Sequence, residues 1–313
     1  MKQHNLKSVL SYIIVATLIF ISLDAVAQWP DTDIYLFEIR KSKKGYTLEN
    51  KQKINARAGY NNQPYFTPDN RYLYYVASID TTNTEIYRYD IERKKNKRLT
   101  RTKECEYSPK LTPDLEHLSC VRVERDKVTQ RLYTYTLKGK KPKMVEPELK
   151  NIGYYDWILP HEFLSFELPE PFQLTRHNII TKRVDTIATH VGRNFYAQRA
   201  KGKIWYVDKQ DSTKWYIRSV NMQSITKKST MTSDILTIET LPNEEDYTIM
   251  MDGSILMGHE GILYRKPNPT KFPDASWEPL ADLKPLGIER FYRLAISASN
   301  MQIAIVAYKG KKP

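Results

Sequence analysis

Cysteine is almost missing from this chain: Cys105 and Cys120 are the two among 313 residues. A disulfide framework needs more, so one is excluded. Catalytic signatures are missing as well. No Gly-x-Ser-x-Gly turn occurs, which excludes a serine hydrolase built on that elbow. His161-Glu162 has no second histidine three positions on, so a zinc-protease helix is excluded. Asp31-Thr-Asp33 lacks the glycine turn and closing glutamate that a calcium loop requires. The histidines at 117, 161, 177, 190 and 259 are scattered and read as turn or surface residues rather than ligands.

Long apolar runs are missing after residue 23. The one run, residues 9–23, follows Lys2 and Lys7 and precedes Ala25-Val-Ala27. About 15 residues is short for a membrane span, whereas a basic start, an apolar middle and a small-x-small end make an export signal. Cleavage is expected near Ala27, leaving a mature chain of 28–313 that is periplasmic or secreted. No cysteine stands at the cleavage point, which argues against a lipoprotein. The mature chain is expected to have no transmembrane segment.

Acidic residues are outnumbered, 36 to 49, for a formal charge of +13. Removing 1–27 takes away Lys2, Lys7 and Asp24 and lowers it to +12. In a cytosolic protein that balance would point to nucleic acid. Export turns the expectation away from nucleic acid and toward polyanions of the cell envelope. The excess is concentrated in 93–98, 101–103 and 138–143. These stretches read as solvated outer strands whose charge discourages edge pairing.

What the chain has is a repeat. A polar turn followed by an apolar, aromatic-rich strand recurs six times, most clearly as Thr67-Pro-Asp-Asn-Arg-Tyr-Leu-Tyr-Tyr-Val76 and Thr112-Pro-Asp-Leu-Glu-His-Leu-Ser-Cys-Val121. With turn positions at Asn70, Leu115, His161, Gly202, Gly253 and Asn300, the spacing is about 41 to 51 residues, the period of propeller blades. Each turn-and-strand is followed by an alternating strand, such as Glu85-Ile-Tyr-Arg-Tyr-Asp90, and then by a short basic one, such as Asn96-Lys-Arg-Leu-Thr100. Four strands per unit make a blade.

The chain ends complete the count. Asp33-Ile-Tyr-Leu-Phe-Glu-Ile39 reads as a third strand and Lys51-Gln-Lys-Ile-Asn55 as a fourth. Residues 290–308 supply the first two. The expected fold is therefore all-β: one six-bladed propeller of four-stranded blades, its ring closed by pairing of N- and C-terminal strands. Antiparallel pairing around Asp114 would set Cys120 opposite a residue near Pro109 rather than opposite Cys105. Two buried thiols are expected.

The first strand of each blade lines a propeller's channel, and the segments leading into these strands ring one face. Here they read as Tyr60-Asn-Asn-Gln63, Glu104-Cys-Glu-Tyr107, Tyr154-Tyr-Asp156, Arg193-Asn-Phe-Tyr196, Ile238-Glu239 and Glu289-Arg-Phe-Tyr292. Polar groups beside tyrosine recur in five of the six. Tyrosine offers rigid amphipathic area, and its neighbours offer directional hydrogen bonds. The candidate binding residues are accordingly Tyr60, Asn62, Gln63, Glu106, Tyr107, Tyr155, Asp156, Asn194, Tyr196, Glu239 and Arg290.

The run 67–76 resembles the Ser-Pro-Asp-Gly repeat of the TolB-like six-bladed propellers. Met251-Asp-Gly-Ser-Ile-Leu-Met-Gly258, Trp277-Glu-Pro-Leu-Ala-Asp-Leu283, Gly287-Ile288 and Arg293-Leu-Ala-Ile-Ser297 resemble the last blades of exported TolB-like proteins of the Bacteroidetes type. The resemblance spans roughly residues 33 to 309. It departs where Leu115 replaces the turn glycine and Ser299-Asn300 replaces Asp-Gly. No N-terminal α/β domain like that of TolB fits before residue 33, so membership of the Tol–Pal system is not implied. The resemblance implies a fold, and propellers host both enzymes and binding platforms.

The function expected from these observations is a non-catalytic, monomeric platform that engages a protein or envelope component through its channel-mouth face, without a cofactor. The alternative is a lactonase or glycan-active hydrolase that uses the carboxylates of Glu106, Asp156 and Glu239, with or without calcium.

Overall fold

The computed structural model describes residues 29–43, 45–223 and 236–310. The expected export segment, 1–27, lies outside the described residues. Among the described residues, twenty-four strands form six four-stranded antiparallel sheets, and two single-turn 3-10 helices lie in the connections. Blade 1 runs outward through β3 (Asn61–Phe66), β4 (Tyr72–Ser78), β5 (Thr84–Asp90) and β6 (Lys95–Arg98). Blade 2 holds β7 (Cys105–Leu111), β8 (His117–Val123), β9 (Gln130–Thr136) and β10 (Lys143–Met144). Blade 3 holds β11 (Ile152–Leu159), β12 (Glu162–Glu167), β13 (Gln173–Asn178) and β14 (Val184–Thr189). Blade 4 holds β15 (Val191–Gln198), β16 (Lys203–Asp208), β17 (Tyr216–Asn221) and β18 (Leu236–Glu239). Blade 5 holds β19 (Tyr247–Ile249), β20 (Ile255–His259), β21 (Ile262–Lys266) and β22 (Glu278–Asp282).

Blade 6 is shared by the chain ends. Its inner strands are β23 (Phe291–Ile296) and β24 (Gln302–Tyr308), and its outer strands are β1 (Thr32–Ser42) and β2 (Gly45–Lys53). β1 pairs with β24 from Thr32↔Tyr308 to Glu38↔Gln302. The ring thus closes by backbone hydrogen bonds between the two ends, and no strand edge is left open at the seam. The fourth strand begins earlier than the sequence reading set it and ends at Lys53. Asn55, just beyond, accepts the Ile34 amide at 2.9 Å and ties the strand end back to β1.

The repeat has a physical basis in its turns. Thr67 donates its hydroxyl to Asp69 at 2.5 Å, Asp69 accepts the Arg71 amide, and Thr67 Oγ1 accepts the Tyr72 amide. Thr112, Asp114, Glu116 and His117 repeat this arrangement atom for atom. Ser297 and Ser299 play the same parts before β24. The residue after Asp must turn left-handed, and Asn70, Leu115 and Asn300 have φ of 57°, 63° and 57°. Leu115 does so without the freedom of glycine or the polar side chain of asparagine. His161 is not left-handed; it lies in the two-residue link between β11 and β12, with Leu159 opposite Glu162.

The core lies between blades rather than in the middle of the disc. Ile34, Leu73, Tyr75, Tyr89 and Val306 pack blade 6 against blade 1. Val121, Leu132, Tyr155, Trp157 and Phe163 pack blade 2 against blade 3. Cys105 and Cys120 are both buried and unbonded. Cys120 stands opposite Ser108-Pro109, between the pairs Tyr107↔Val121 and Lys110↔Ser119, so the register keeps the thiols apart.

Candidate functional site

The innermost strands are irregular where they reach the channel. In blade 1, Gln63 and Pro64 together face one residue of β4, between the pairs Asn62↔Val76 and Tyr65↔Tyr74. In blade 2, Ser108 and Pro109 do the same. In blade 4 the slip covers 192–194, and in blade 6 it covers Tyr292 and Arg293. Such bulges bend a strand and re-aim its side chains. They also admit proline, which cannot donate to a ladder. Gln63 and Ser108 carry left-handed φ of 55° and 53°, which takes up the extra residue in each strand.

The bulges converge. A central cavity of about 170 Å³ is lined from all six blades, among others by Gln63, Ser108, Lys110, Arg193, Asp246 and Arg293. Arg293 donates to the Tyr154 hydroxyl at 2.8 Å, a bond between blades 6 and 3 on opposite sides of the ring. Arg193 pairs with Glu245 at 2.8 Å and with Asp246 at 2.5 Å. Lys110 pairs with Asp156 at 2.7 Å, and Asp156 also accepts the Ala197 amide. Burial works against the charge of Arg293, but the Tyr154 hydroxyl and Asp246 outweigh it, so its pKa lies above the ordinary guanidinium value.

Beside this cavity a groove of about 930 Å³ runs across blades 1 to 3. Its apolar lining includes Trp29, Tyr60, Tyr107, Val123, Tyr154 and Leu168. Gln63 and Tyr154 line both spaces, so the groove and the central cavity meet at these two side chains. Trp29 stacks on Tyr60 with ring centroids 5.8 Å apart.

With this geometry in hand, comparison with solved structures is decisive for the fold. TolB from Acinetobacter baumannii aligns with a TM-score of 0.57 at 12% identity over 90% of this chain, which spans 65% of that one. A putative TolB from Agrobacterium tumefaciens aligns with a TM-score of 0.58 at 12% identity, over 90% of this chain and 99% of that one. The chain has the TolB-like six-bladed propeller fold. A manganese-bound oligogalacturonate lyase shares it with a TM-score of 0.55 at 12% identity, over 85% of this chain and 83% of that one. No protein-family model matches the sequence, and no curated protein matches it by sequence. At these identities the likeness is one of fold, so a site must be argued from this chain's own residues.

Within the TolB-like propeller, the candidate residues separate. Tyr60, Gln63 and Tyr107 line the groove. Gln63, Tyr155 and Asn194 line the central cavity. Several of them are also structural ties. Gln63 accepts the Ser108 amide at 2.7 Å and joins two bulges, and Asn194 donates to the Tyr247 carbonyl. Tyr155 shares a hydrogen bond with Ser119 and is almost fully buried. Asn62 donates to the hydroxyls of Tyr60 and Tyr292, and Asp156 holds Lys110. Tyr196 packs with Tyr247, and Arg290 lies over the ring of Tyr308.

Two placements correct the sequence reading. Glu239 is not at the channel mouth: Ile238-Glu239 lies in β18, the outermost strand of blade 4, where Glu239 pairs with Lys214 at 3.1 Å. The connection after β17 lengthens this blade, so its outer strand falls where an even period would put the next inner one. The segment that leads into β19 is instead Glu245-Asp246-Tyr247. Glu106 lies on an inner strand but not in the channel. It accepts from Thr102 at 2.5 Å and from Tyr135 at 3.2 Å, inside the blade 1–blade 2 interface. The three carboxylates named for a hydrolase therefore have separate partners in separate places. Asp114, Glu116 and His117 could place three ligand atoms within 4.8 Å of one another. They belong to the turn between β7 and β8, where Asp114 already accepts from Thr112 and Glu116.

Trp29, Ser108, Lys110, Tyr154, Arg193, Asp246 and Arg293 were not among the candidates. Pro64 and Pro109 were the available signal for part of this set, since a proline inside an inner strand marks a bulge. No helix among the described residues is long and apolar enough to cross a membrane.

Proposed function

We propose that this protein is an exported, non-catalytic platform that binds a protein or cell-envelope component through its channel-mouth face. The observation that carries the reading is the groove across blades 1 to 3, with its aromatic lining and its junction with the central cavity. A concave, mostly apolar surface with a few convergent polar groups is the usual form of a recognition site. Tryptophan and tyrosine are the residues that most often dominate binding energy. Oligogalacturonate lyase has the same fold, but Glu106, Asp156 and Glu239, the carboxylates considered for a hydrolase, lie in separate places, which favours the platform reading. Export and cleavage near Ala27 complete the proposal and set the compartment in which a partner is met.

The test is capture of envelope components on immobilised mature protein, comparing wild type with Trp29→Ala/Tyr107→Ala. Lys94→Gln/Lys95→Gln/Lys97→Gln, on and beside the exposed strand β6, serves as the control. Loss of a saturable interaction in the groove variant, with retention in the control, is expected. An interaction that survives the groove variant, or is lost only in the control, would overturn the reading.

A further inference from the structure

Eleven buried side-chain polar atoms lack a hydrogen-bond partner among the described residues, and three belong to side chains that line the central cavity: Ser108 Oγ, Arg193 Nε and Arg293 Nε. All three can donate. A buried donor without an acceptor destabilises a fold, so three around one small space mark a place that favours an acceptor. Charge points the same way. Arg193 is answered by Glu245 and Asp246, and Lys110 by Asp156. Glu245 is shared with Lys209 at 3.0 Å. Arg293 forms no ion pair among the described residues, and its one hydrogen bond there goes to the Tyr154 hydroxyl. Arg293 is thus the cation on the cavity wall that has no carboxylate at ion-pair distance among the described residues, whereas Lys110 and Arg193 each have at least one.

We infer that the central cavity is a binding site for a carboxylate group, with Arg293 as its cation and Arg193 Nε and the Ser108 hydroxyl as supporting donors. A hydrogen bond from a guanidinium to a carboxylate is strengthened by both charges, and Arg293 keeps its Nε–H without a partner while Nη2 holds Tyr154. One guanidinium without an ion pair matches a monoanion. A phosphate dianion would exceed it and meet the carboxylate of Asp246 on the cavity wall. Because Gln63 and Tyr154 line both spaces, a chain lying in the groove could lower an acidic side chain or a terminal carboxylate into the cavity. The source of the carboxylate rests on the platform reading, whereas the site itself does not.

The experiment follows the Nε–Hε resonances of Arg293 and Arg193 by NMR in the mature protein, assigned with Arg293→Lys and Arg193→Lys. Acetate, inorganic phosphate and chloride are titrated at constant ionic strength. N-acetylglycine and the α-amide of N-acetylglutamate then separate a terminal carboxylate from a side-chain one. The expected result is a saturable shift with acetate and with one of the two larger probes, a weaker response to phosphate, and none to chloride. Arg293→Gln should weaken acetate binding, read at Arg193, by about tenfold or more. Ser108→Ala should weaken it by a few-fold, which keeps the test open should Arg293→Gln not fold. Linear shifts shared with chloride, or unchanged affinity in either variant, would overturn the site. Saturable acetate binding without groove-dependent capture would refute the platform and leave the site standing. Capture that ignores both Arg293→Gln and added acetate would refute the lowering of a bound chain's carboxylate into the cavity, whereas the acetate titration alone decides the site.

Discussion

Replacing Glu106 with glutamine removes one ionisation from the interface between blades 1 and 2. The Glu106 side chain is fully buried, accepts from Thr102 and Tyr135 with Oε1, and leaves Oε2 without a partner. Glu85 stands nearby with its own Oε2 unpartnered, although its Oε1 is held by Arg98 and the Thr102 amide. Burial is the largest influence on Glu106 and Glu85 adds to it, so the carboxyl is pushed up to about 8 from an ordinary 4.5 despite the hydrogen bonds. A carboxyl with a raised folded-state pKa binds its proton more tightly in the folded chain than in the unfolded one. Its contribution is therefore complete below about pH 4.5 and is lost as the pH rises through about 8. At about 1.4 kcal/mol per unit, the loss is on the order of 5 kcal/mol. Glutamine is neutral throughout and carries no such dependence. Urea denaturation of both proteins between about pH 5 and pH 9 reads the difference directly. The wild type should lose stability relative to Glu106→Gln as pH rises, whatever constant offset the amide introduces. Parallel profiles would refute the argument, since they would mean that Glu106 ionises in the folded chain as it does in the unfolded one.

Leu115 occupies a left-handed turn position and is largely exposed, so Leu115→Asn should stabilise the protein by about 0.5–1 kcal/mol in denaturant unfolding. A methyl group on Gly258 would press into the ring of Phe291, so Gly258→Ala should cost about 1–3 kcal/mol by the same measurement. Truncation after Glu289 removes β23 and β24 and leaves β1 paired with β2 alone; the product should aggregate or fail to accumulate, and normal melting would show that the ring does not depend on this seam. Lys94→Gln/Lys95→Gln/Lys97→Gln should leave stability within about 0.5 kcal/mol per site, and salt-sensitive vesicle binding that vanishes in this variant alone would show that the cluster is a docking site.

Much of the fold was legible along the chain. The Thr-Pro-Asp turn closes on hydrogen bonds among residues no more than five apart, so its recurrence can be read without knowing what lies across the sheet. Alternation of apolar and polar residues is equally local, and it placed the ends of the third strands to within about three residues. Even the seam was readable, because a propeller that starts on its third strand must end on its second. The basic runs fell, as read, at or beside the outer strands β6 and β10.

The site was legible only in part. Gln63 and Tyr107 could be named because they lie in inner strands, but Glu239 was displaced to an outer one by a longer connection that the period could not reveal. The rest was decided by register. Whether Ser108 and Arg293 fall within the ladder or bulge into the channel depends on which residues of β8 and β24 they meet. Arg293 reaches Tyr154 only because closing the ring sets blades 6 and 3 opposite each other. A sequence by itself determines what each segment prefers, and here that was enough for six blades and their closure. Which charges find partners across the channel, and which one does not, is a property of six strands meeting at an axis, and only the tertiary structure decided it.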